Sequence, residues 1–339
     1  METKRFTEAT IPEAAKALRA GQLVAFPTET VYGLGADATN EAAARSVYTT
    51  KGRPSDNPLI VTVDDRKMVA QYADITPAAS KLMDQFWPGP LTIILNIHPG
   101  SLSKTVTGGL STAAFRMPEN KLTRALIHEA GVPIVGPSAN KSGKPSPTKP
   151  EHVLHDFDGE IAGVLDDGET QVGVESTVLD LTVTPPAILR PGAIGPKELA
   201  PFVGVVDSEM HHVGANETPK APGMKYKHYA PSAQVVIVDD VTQFPQALTW
   251  AAQQGQAYGV MATDAVLADV PTSIPQYSLG TGIKQATHHL FDGLRWFDLH
   301  PTVTLVLAQA FPAEGLGAAY MNRLLKSAGN EHFNPANVK

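Results

Sequence analysis

Apolar residues follow two alternating rhythms along this chain. Short apolar runs of strand length alternate with longer segments in which apolar positions recur at helical spacing. Ile11 to Ala20 is a helix by this criterion, with Ala15 and Leu18 on one stripe, Pro12 in the first turn and Gly21 as the stop. Gln22 to Phe26 then reads as a buried strand. Asn40 caps a helix that runs through Ala44 and Val47 into Lys51. Leu59 to Val63 is a strand and Pro77 to Phe86 a helix. Trp87-Pro88-Gly89-Pro90 breaks the chain, with Trp87 as a core or corner aromatic, before the strand Leu91 to Ile97. A strand carrying Arg116 follows, then a helix from Lys121 to Ala130 ended by Gly131. Val132 to Val135, Ile161 to Leu165, Glu175 to Asp180 and Ala187 to Leu189 are further strands.

Periodicity vanishes between about Gly204 and Pro231. Beyond it, the strands Val235 to Val238, Tyr258 to Met261 and Val303 to Leu307 alternate with helices at Phe244 to Gln253, Ile283 to Phe297 and Gly317 to Ala328. This second pattern is a small βαβ domain with a parallel sheet. The expected organisation is a domain over 1–205, a linker over 206–231 and a domain over 232–339. Two domains also suit a chain of 339 residues.

Composition narrows the classes. Hydrophobic residues make up 42% and charged residues 18%, as in a globular protein with a sizeable core. No apolar run is long enough to span a bilayer, and Met1-Glu2-Thr3-Lys4-Arg5 has no apolar segment behind it, so neither a membrane role nor secretion is expected. There is no cysteine, which excludes disulfides, thiol nucleophiles and cysteine metal sites and fits a cytoplasmic protein. The net charge of -7 makes the chain a poor non-specific binder of nucleic acid.

Candidate chemistry collects at a few punctuated stretches. In Lys51-Gly52-Arg53-Pro54-Ser55-Asp56-Asn57-Pro58 the prolines disfavour helix, and an extended chain would put Lys51, Arg53, Ser55 and Asn57 on one face. Ammonium, guanidinium, hydroxyl and amide together suit a polyanion such as a triphosphate; the alternative is a solvated basic turn. Arg116 interrupts an apolar run and needs an anion, either an internal acid or a ligand carboxylate or phosphate. Arg190 closes an apolar run in the same way, and the two arginines can converge on one anionic ligand. The strand at Val132 to Val135 runs into Gly136-Pro137-Ser138-Ala139-Asn140, where an α/β sheet places a ligand. Pro27 to Gly35 mixes hydroxyls, one acid and two glycines. Thr28 and Thr30 read either as turn hydroxyls or as ligand groups. Gly33-Leu34-Gly35 is a weak dinucleotide signature that lacks the tight strand-to-helix turn.

Standard catalytic motifs are missing: there is no phosphate loop, nucleophile elbow or zinc helix. The close pairs at His152 and His155, His211 and His212, and His288 and His289 lack an evident further ligand set, so the metal ligands are unassigned. Asp166-Asp167 and Asp239-Asp240 read as strand-end turns.

In this order the motifs resemble the Sua5/YrdC/YciO family of threonylcarbamoyl-AMP synthases, in its long two-domain form. The resemblance rests on the tetrad Lys51, Arg53, Ser55 and Asn57, on Pro27-Thr28-Glu29-Thr30-Val31-Tyr32-Gly33-Leu34 and on Pro137-Ser138-Ala139-Asn140. Ser176-Thr177-Val178, Leu189-Arg190-Pro191-Gly192 and Ala221-Pro222-Gly223-Met224-Lys225-Tyr226 complete it. It implies a twisted, mixed-sheet YrdC-like catalytic domain followed by a small Rossmann-like C-terminal domain. The implied activity is nucleotidyl transfer: threonylcarbamoyl-AMP and pyrophosphate from L-threonine, bicarbonate and ATP, with Mg2+ on the nucleotide, for t6A modification of tRNA. A downstream tRNA threonylcarbamoyl transferase is the implied partner. By position, Lys51 and Arg53 are the catalytic cations, and Arg53, Ser55, Asn57, Thr112, Ser138, Ser146, Arg190 and Tyr226 face ATP. Thr30, Thr62, Arg116 and Ser176 hold threonine, although the family often carries histidine where this chain has Thr62. The linker around Lys225 and Tyr226 is expected to close over the nucleotide. Two rivals remain: a binder of double-stranded RNA or tRNA, and a carbamoyl-adenylate enzyme with another acceptor.

Overall fold

The computed structural model describes residues 2–55, 57–208, 219–220 and 229–337. The chain divides into two compact units, one of Met1–Ser142 with Pro147–Tyr226 and one of Gly143–Ser146 with Lys227–Lys339. No helix among the described residues is long and apolar enough to cross a membrane.

The first unit is a ten-stranded mixed sheet with helices. Its strands are β1 (Lys4–Phe6), β2 (Val24–Phe26), β3 (Gly33–Asp37), β4 (Ile60–Thr62), β5 (Leu91–Asn96), β6 (Thr112–Arg116), β7 (Ile134–Val135), β8 (Gly163–Leu165), β9 (Thr177–Asp180) and β10 (Ala187–Arg190). They lie in the order β1-β8-β2-β3-β7-β4-β6-β5-β9-β10. The helices are α1 (Ile11–Arg19), α2 (Glu41–Lys51), α3 (Arg66–Val69), α4 (Pro77–Phe86), α5 (Lys104–Thr107), α6 (Lys121–Ala130), α7 (Pro150–Phe157) and α8 (Pro196–Val203).

Local chemistry accounts for these elements. Asn40 caps α2 as expected, its side chain accepting from the N–H groups of Ala42 and Ala43 at 3.1 and 3.2 Å. The stripe of α1, with Ala14, Ala15 and Leu18, packs in a core with Phe6, Phe26, Leu126 and Ile127. In the strands β4, β5, β6 and β9, one alternate set of side chains enters the main core: Val61, Ile93, Phe115 and Leu179. The opposite set, Ile60, Ile94, Ala114 and Val178, forms a small separate apolar cluster on the other face.

Two departures from the sequence reading bear on the candidate site. The glycine-rich segment Gly33–Asp37 is a strand, antiparallel to β2 with Phe26 opposite Gly33. A Cβ on Gly33 or Gly35 would fall 2.5 or 3.0 Å from the Phe26 ring, so this ring occupies the space that strand side chains normally fill. The stretch from Lys51 is not uniformly extended. Lys51 is the last residue of α2, and Gly52 ends the helix in the left-handed region at φ 63°. Lys51 and Asn57 are therefore buried while Ser55 is exposed, and the four side chains of the tetrad do not share one face.

In the second unit, β11 (Gln234–Val238), β12 (Tyr258–Ala262), β13 (Gln276–Ser278) and β14 (Leu305–Gln309) form a parallel sheet in the order β11-β14-β12-β13. Helices α9 (Phe244–Gln253), α10 (Asp264–Leu267), α11 (Ile283–Asp298) and α12 (Leu316–Ala328) alternate with the strands. The segment 143–146 packs in this unit. Arg295 on α11 donates to the Pro145 carbonyl at 2.6 and 3.1 Å, Lys144 reaches Ser232 at 2.9 Å, and Ala230 N–H meets the Gly143 carbonyl at 2.8 Å. Most of the expected linker lies outside the described residues.

Gly192 shows how tightly the end of β10 packs on the start of β9. A Cβ there would stand 2.3 Å from the Thr177 nitrogen and 2.7 Å from the Ser176 carbonyl carbon. Because both are backbone atoms, Gly192→Ala is expected to cost about 1–3 kcal/mol. A urea melt checks it: an unchanged midpoint would mean that the backbone gives way at no cost.

Candidate active site

The sheet register gathers the candidate residues. β4 and β6 are parallel, with Thr62 opposite Arg116. β5 pairs antiparallel with β6, and the register that sets Ile93 against Phe115 brings Thr92 level with Arg116. Thr92 stands opposite Val178 on β9, and Val178 opposite Arg190 on β10. Residues opposite one another project to the same side. Thr62, Thr92, Arg116 and Arg190 therefore rise from the face that carries the small apolar cluster, and strand alternation adds Thr112.

Two guanidiniums on this face are almost removed from water, Arg116 at 7% exposure and Arg190 at 6%. Each is held by protein groups. Arg116 Nη2 donates to Glu29 Oε1 at 2.6 Å, Nη1 to Thr30 Oγ1 at 2.9 Å, and Nε to the Gly89 carbonyl at 3.4 Å. The internal acid is thus present, and it is Glu29, which the sequence reading left without a role. Its signal was there: a buried arginine requires an anion, and Glu29 is the single acid in the hydroxyl-rich segment. Arg190 Nε donates to the Ser176 carbonyl at 3.0 Å and Nη2 to Ser176 Oγ at 3.1 Å. Ser176 Oγ also lies 2.7 Å from Thr92 Oγ1. Arg190, Ser176 and Thr92 so form a chain that crosses the face toward Arg116.

The loop after β2 is pinned from several sides. Thr28 Oγ1 accepts the N–H groups of Thr30 and Val31, both at 3.1 Å, and donates to the Val31 carbonyl at 2.6 Å. Thr28 is thus a turn hydroxyl, whereas Thr30 faces Arg116. Tyr32 donates to the Gly168 carbonyl at 2.7 Å. Burial raises its phenol above the ordinary value, so it stays a protonated donor.

The basic stretch serves two purposes. Lys51, 3% exposed, donates to the carbonyls of Ser138 and Asn140, the latter at 2.5 Å. It clamps the loop after β7 to the end of α2. Arg53 and Ser55 line an open groove of about 960 Å³ with Arg45, Lys104, Gly108 and Gly109. The Arg53 guanidinium stands 5.9 Å from the Tyr48 ring centroid, and Nη2 makes long contacts to the Asn57 and Pro58 carbonyls at 3.3 and 3.4 Å. Asn57 Oδ1 is buried without a hydrogen-bond partner among the described residues, an unmet acceptor of the kind that ligand sites retain. The face and the groove divide the four expected cations, with Arg116 and Arg190 on the face, Arg53 in the groove and Lys51 bound to carbonyls. Ser146 is buried in the segment that packs with the second unit, and Tyr226 lies outside the described residues.

Two buried guanidiniums with hydroxyls on one face of a mixed sheet, beside a groove lined by Glu41, Arg45, Arg53 and Lys104, define an α/β protein with a polar candidate site. Comparison with known proteins narrows this. The model for the Sua5, YciO and YrdC proteins, described as "Telomere recombination", matches residues 16–192. That for the "Threonylcarbamoyl-AMP synthase, C-terminal domain" matches residues 194–329. The chain is 48% identical to a threonylcarbamoyl-AMP synthase of Bacillus subtilis, over 94% of this chain and 93% of that one. It is 42% identical to that of Pyrococcus abyssi, over 96% of each. A crystal structure of P. abyssi Sua5 complexed with L-threonine matches with a TM-score of 0.90 at 40% identity, over 98% of both chains. The chain belongs to the Sua5/YrdC/YciO family, in the form that carries the C-terminal Sua5 domain.

The clamp role of Lys51 separates it from Arg53. Lys51→Met removes the buried ammonium that both carbonyls accept from and is expected to lower unfolding free energy by about 2 kcal/mol or more. Arg53→Gln is expected to change it by less than about 1 kcal/mol. Denaturant unfolding of the two variants checks this, and equal stability would remove the structural role of Lys51.

Proposed function

We infer that this protein is an L-threonylcarbamoyladenylate synthase, making threonylcarbamoyl-AMP and pyrophosphate from L-threonine, bicarbonate and ATP. The observation that carries the reading is the shared sheet face of Arg116 and Arg190, in a chain that matches a threonine-bound relative over 98% of its length. On this reading Arg116, with Thr30, Thr62 and Ser176, takes the amino acid. Arg190, Arg53, Ser55, Asn57, Thr112, Ser138, Ser146 and Tyr226 take the nucleotide.

The chemistry needs no protein nucleophile. The threonine amine forms a carbamate with carbon dioxide, losing a proton, or with bicarbonate, losing water. A carbamate oxygen then attacks the α-phosphorus of ATP, and the bond to the bridging oxygen breaks to release pyrophosphate. The reactants repel one another, so the protein's task is alignment and charge neutralisation. Arg116, whose charge is largely met by Glu29, supplies alignment; Arg190 at the face and Arg53 at the groove supply charge, while Lys51 adds positive potential from beneath the Ser138–Asn140 loop. Glu29 is paired with Arg116 and Asp180 with Lys220 at 2.9 Å, so these two buried carboxylates are engaged. That arrangement fits Mg2+ arriving on the triphosphate, where it neutralises phosphate charge, with the arginines orienting the nucleotide. The product would pass in the cytoplasm to a transferase that modifies tRNA.

Pyrophosphate release, with the nucleotide product identified by chromatography, tests the reading. Release is expected only when L-threonine, bicarbonate and MgATP are all present. Equal release with carbamoyl phosphate in place of threonine and bicarbonate would point to another acceptor chemistry and overturn it. Within the same assay, Arg116→Lys should raise KM for threonine and Arg190→Lys KM for ATP. Each change loses a charge-assisted bond of about 1.5–3 kcal/mol, roughly 10- to 150-fold.

A further inference from the structure

Glu29 is held more firmly than charge pairing alone requires. It is 4% exposed, and both carboxylate oxygens are engaged, Oε1 by Arg116 Nη2 at 2.6 Å and Oε2 by the Glu119 N–H at 3.1 Å. The backbone is fixed as well, because the Glu29 carbonyl accepts from the Gln171 and Val172 N–H groups at 3.1 and 2.7 Å. This acid is therefore not a placeholder that swings aside. It is a rigid stop against one edge of the Arg116 guanidinium.

The consequence lies on the other side of that arginine. A guanidinium has five N–H donors. In Arg116 the Nε, Nη1 and Nη2 atoms each donate once to protein, to Gly89, Thr30 and Glu29. Two N–H groups, one on each terminal nitrogen, have no partner among the described residues. Their directions are set by the three bonds already made. The pair with Glu29 also cancels most of the cationic charge at this point, and a second anion brought to Arg116 must approach a fixed carboxylate. A monoanion that needs two donors can meet that condition, whereas a phosphate bearing two or more charges is repelled.

Resting on the reading above, we propose that Glu29 is a positioning residue that makes Arg116 selective for a substrate carboxylate over a phosphate. It aims the two remaining N–H groups and excludes the triphosphate and its products from the amino-acid subsite. It acts through Arg116 and takes no part in bond making.

Calorimetric titration of the full-length protein with L-threonine, with MgATP, and with L-threonine in the presence of inorganic phosphate tests the proposal. The wild-type protein is expected to bind threonine with an affinity that phosphate does not alter. Glu29→Gln, which keeps the shape and removes the charge, is expected to weaken threonine at least tenfold and to leave MgATP within threefold. It should also make phosphate compete with threonine. Competition by phosphate is the readout that a merely structural acid would not produce. If Glu29→Gln does not fold, Glu29→Asp retains the buried anion on a stem too short to reach both partners. It should weaken threonine at least threefold with MgATP unchanged. Threonine affinity unchanged in the variant, threonine and MgATP weakened alike, or no competition by phosphate would each overturn the role of Glu29. A wild-type protein that binds MgATP but not threonine would overturn the functional reading itself, a result distinguishable from all of these.

Discussion

A guanidinium taken out of water must be given an anion and a set of acceptors, and much of the first unit is arranged to do this for Arg116. Burying such an ion costs several kcal/mol, which close pairing in the interior offsets only when the geometry is good. Here the partner comes from the loop after β2, and the other acceptors come from that loop and from the breaker before β5. The Glu119 N–H completes the set from beyond β6. One ion pair thereby joins segments that are far apart in sequence.

The other cations of this unit are used differently, for reasons that follow from their chemistry. Lys51 has three rotatable donors on a flexible stem, and it donates to two carbonyls of the loop after β7. Arg190 has a planar fork, and it donates to Ser176 at both its carbonyl and its hydroxyl. Arg53 rests beside an aromatic ring and lines an open groove. The cations thus have distinct places in the fold: clamping a loop, holding a hydroxyl and lining a groove. The second unit is simpler, a parallel sheet with alternating helices that also takes in the short segment 143–146.

The periodicity of apolar residues was enough to outline most helices and strands. Pro77–Phe86, Lys121–Ala130 and Phe244–Gln253 have the bounds expected from their caps and breakers. It failed at Gly33–Asp37, where the ring of Phe26 fills the place of side chains and leaves no alternation to detect. The expectation of one extended face from Lys51 to Asn57 failed as well: the helix ends at Lys51, as its cap and periodicity indicated, and Gly52 then turns the chain. Both failures have the same origin: a neighbour distant along the chain, or a helix end, overrode the local pattern.

The order of motifs by itself determined the family and the set of candidate residues, because residue type and spacing along the chain are local properties. Only the tertiary structure decided which of these residues meet and what each one touches. Register across β4, β6, β5, β9 and β10 put Thr62, Arg116 and Arg190 on one face. The fold also joined Glu29 to Arg116 across 87 positions of sequence. Charge pairing of this kind depends on distance in space and on exclusion of water, and neither is written in a one-dimensional pattern.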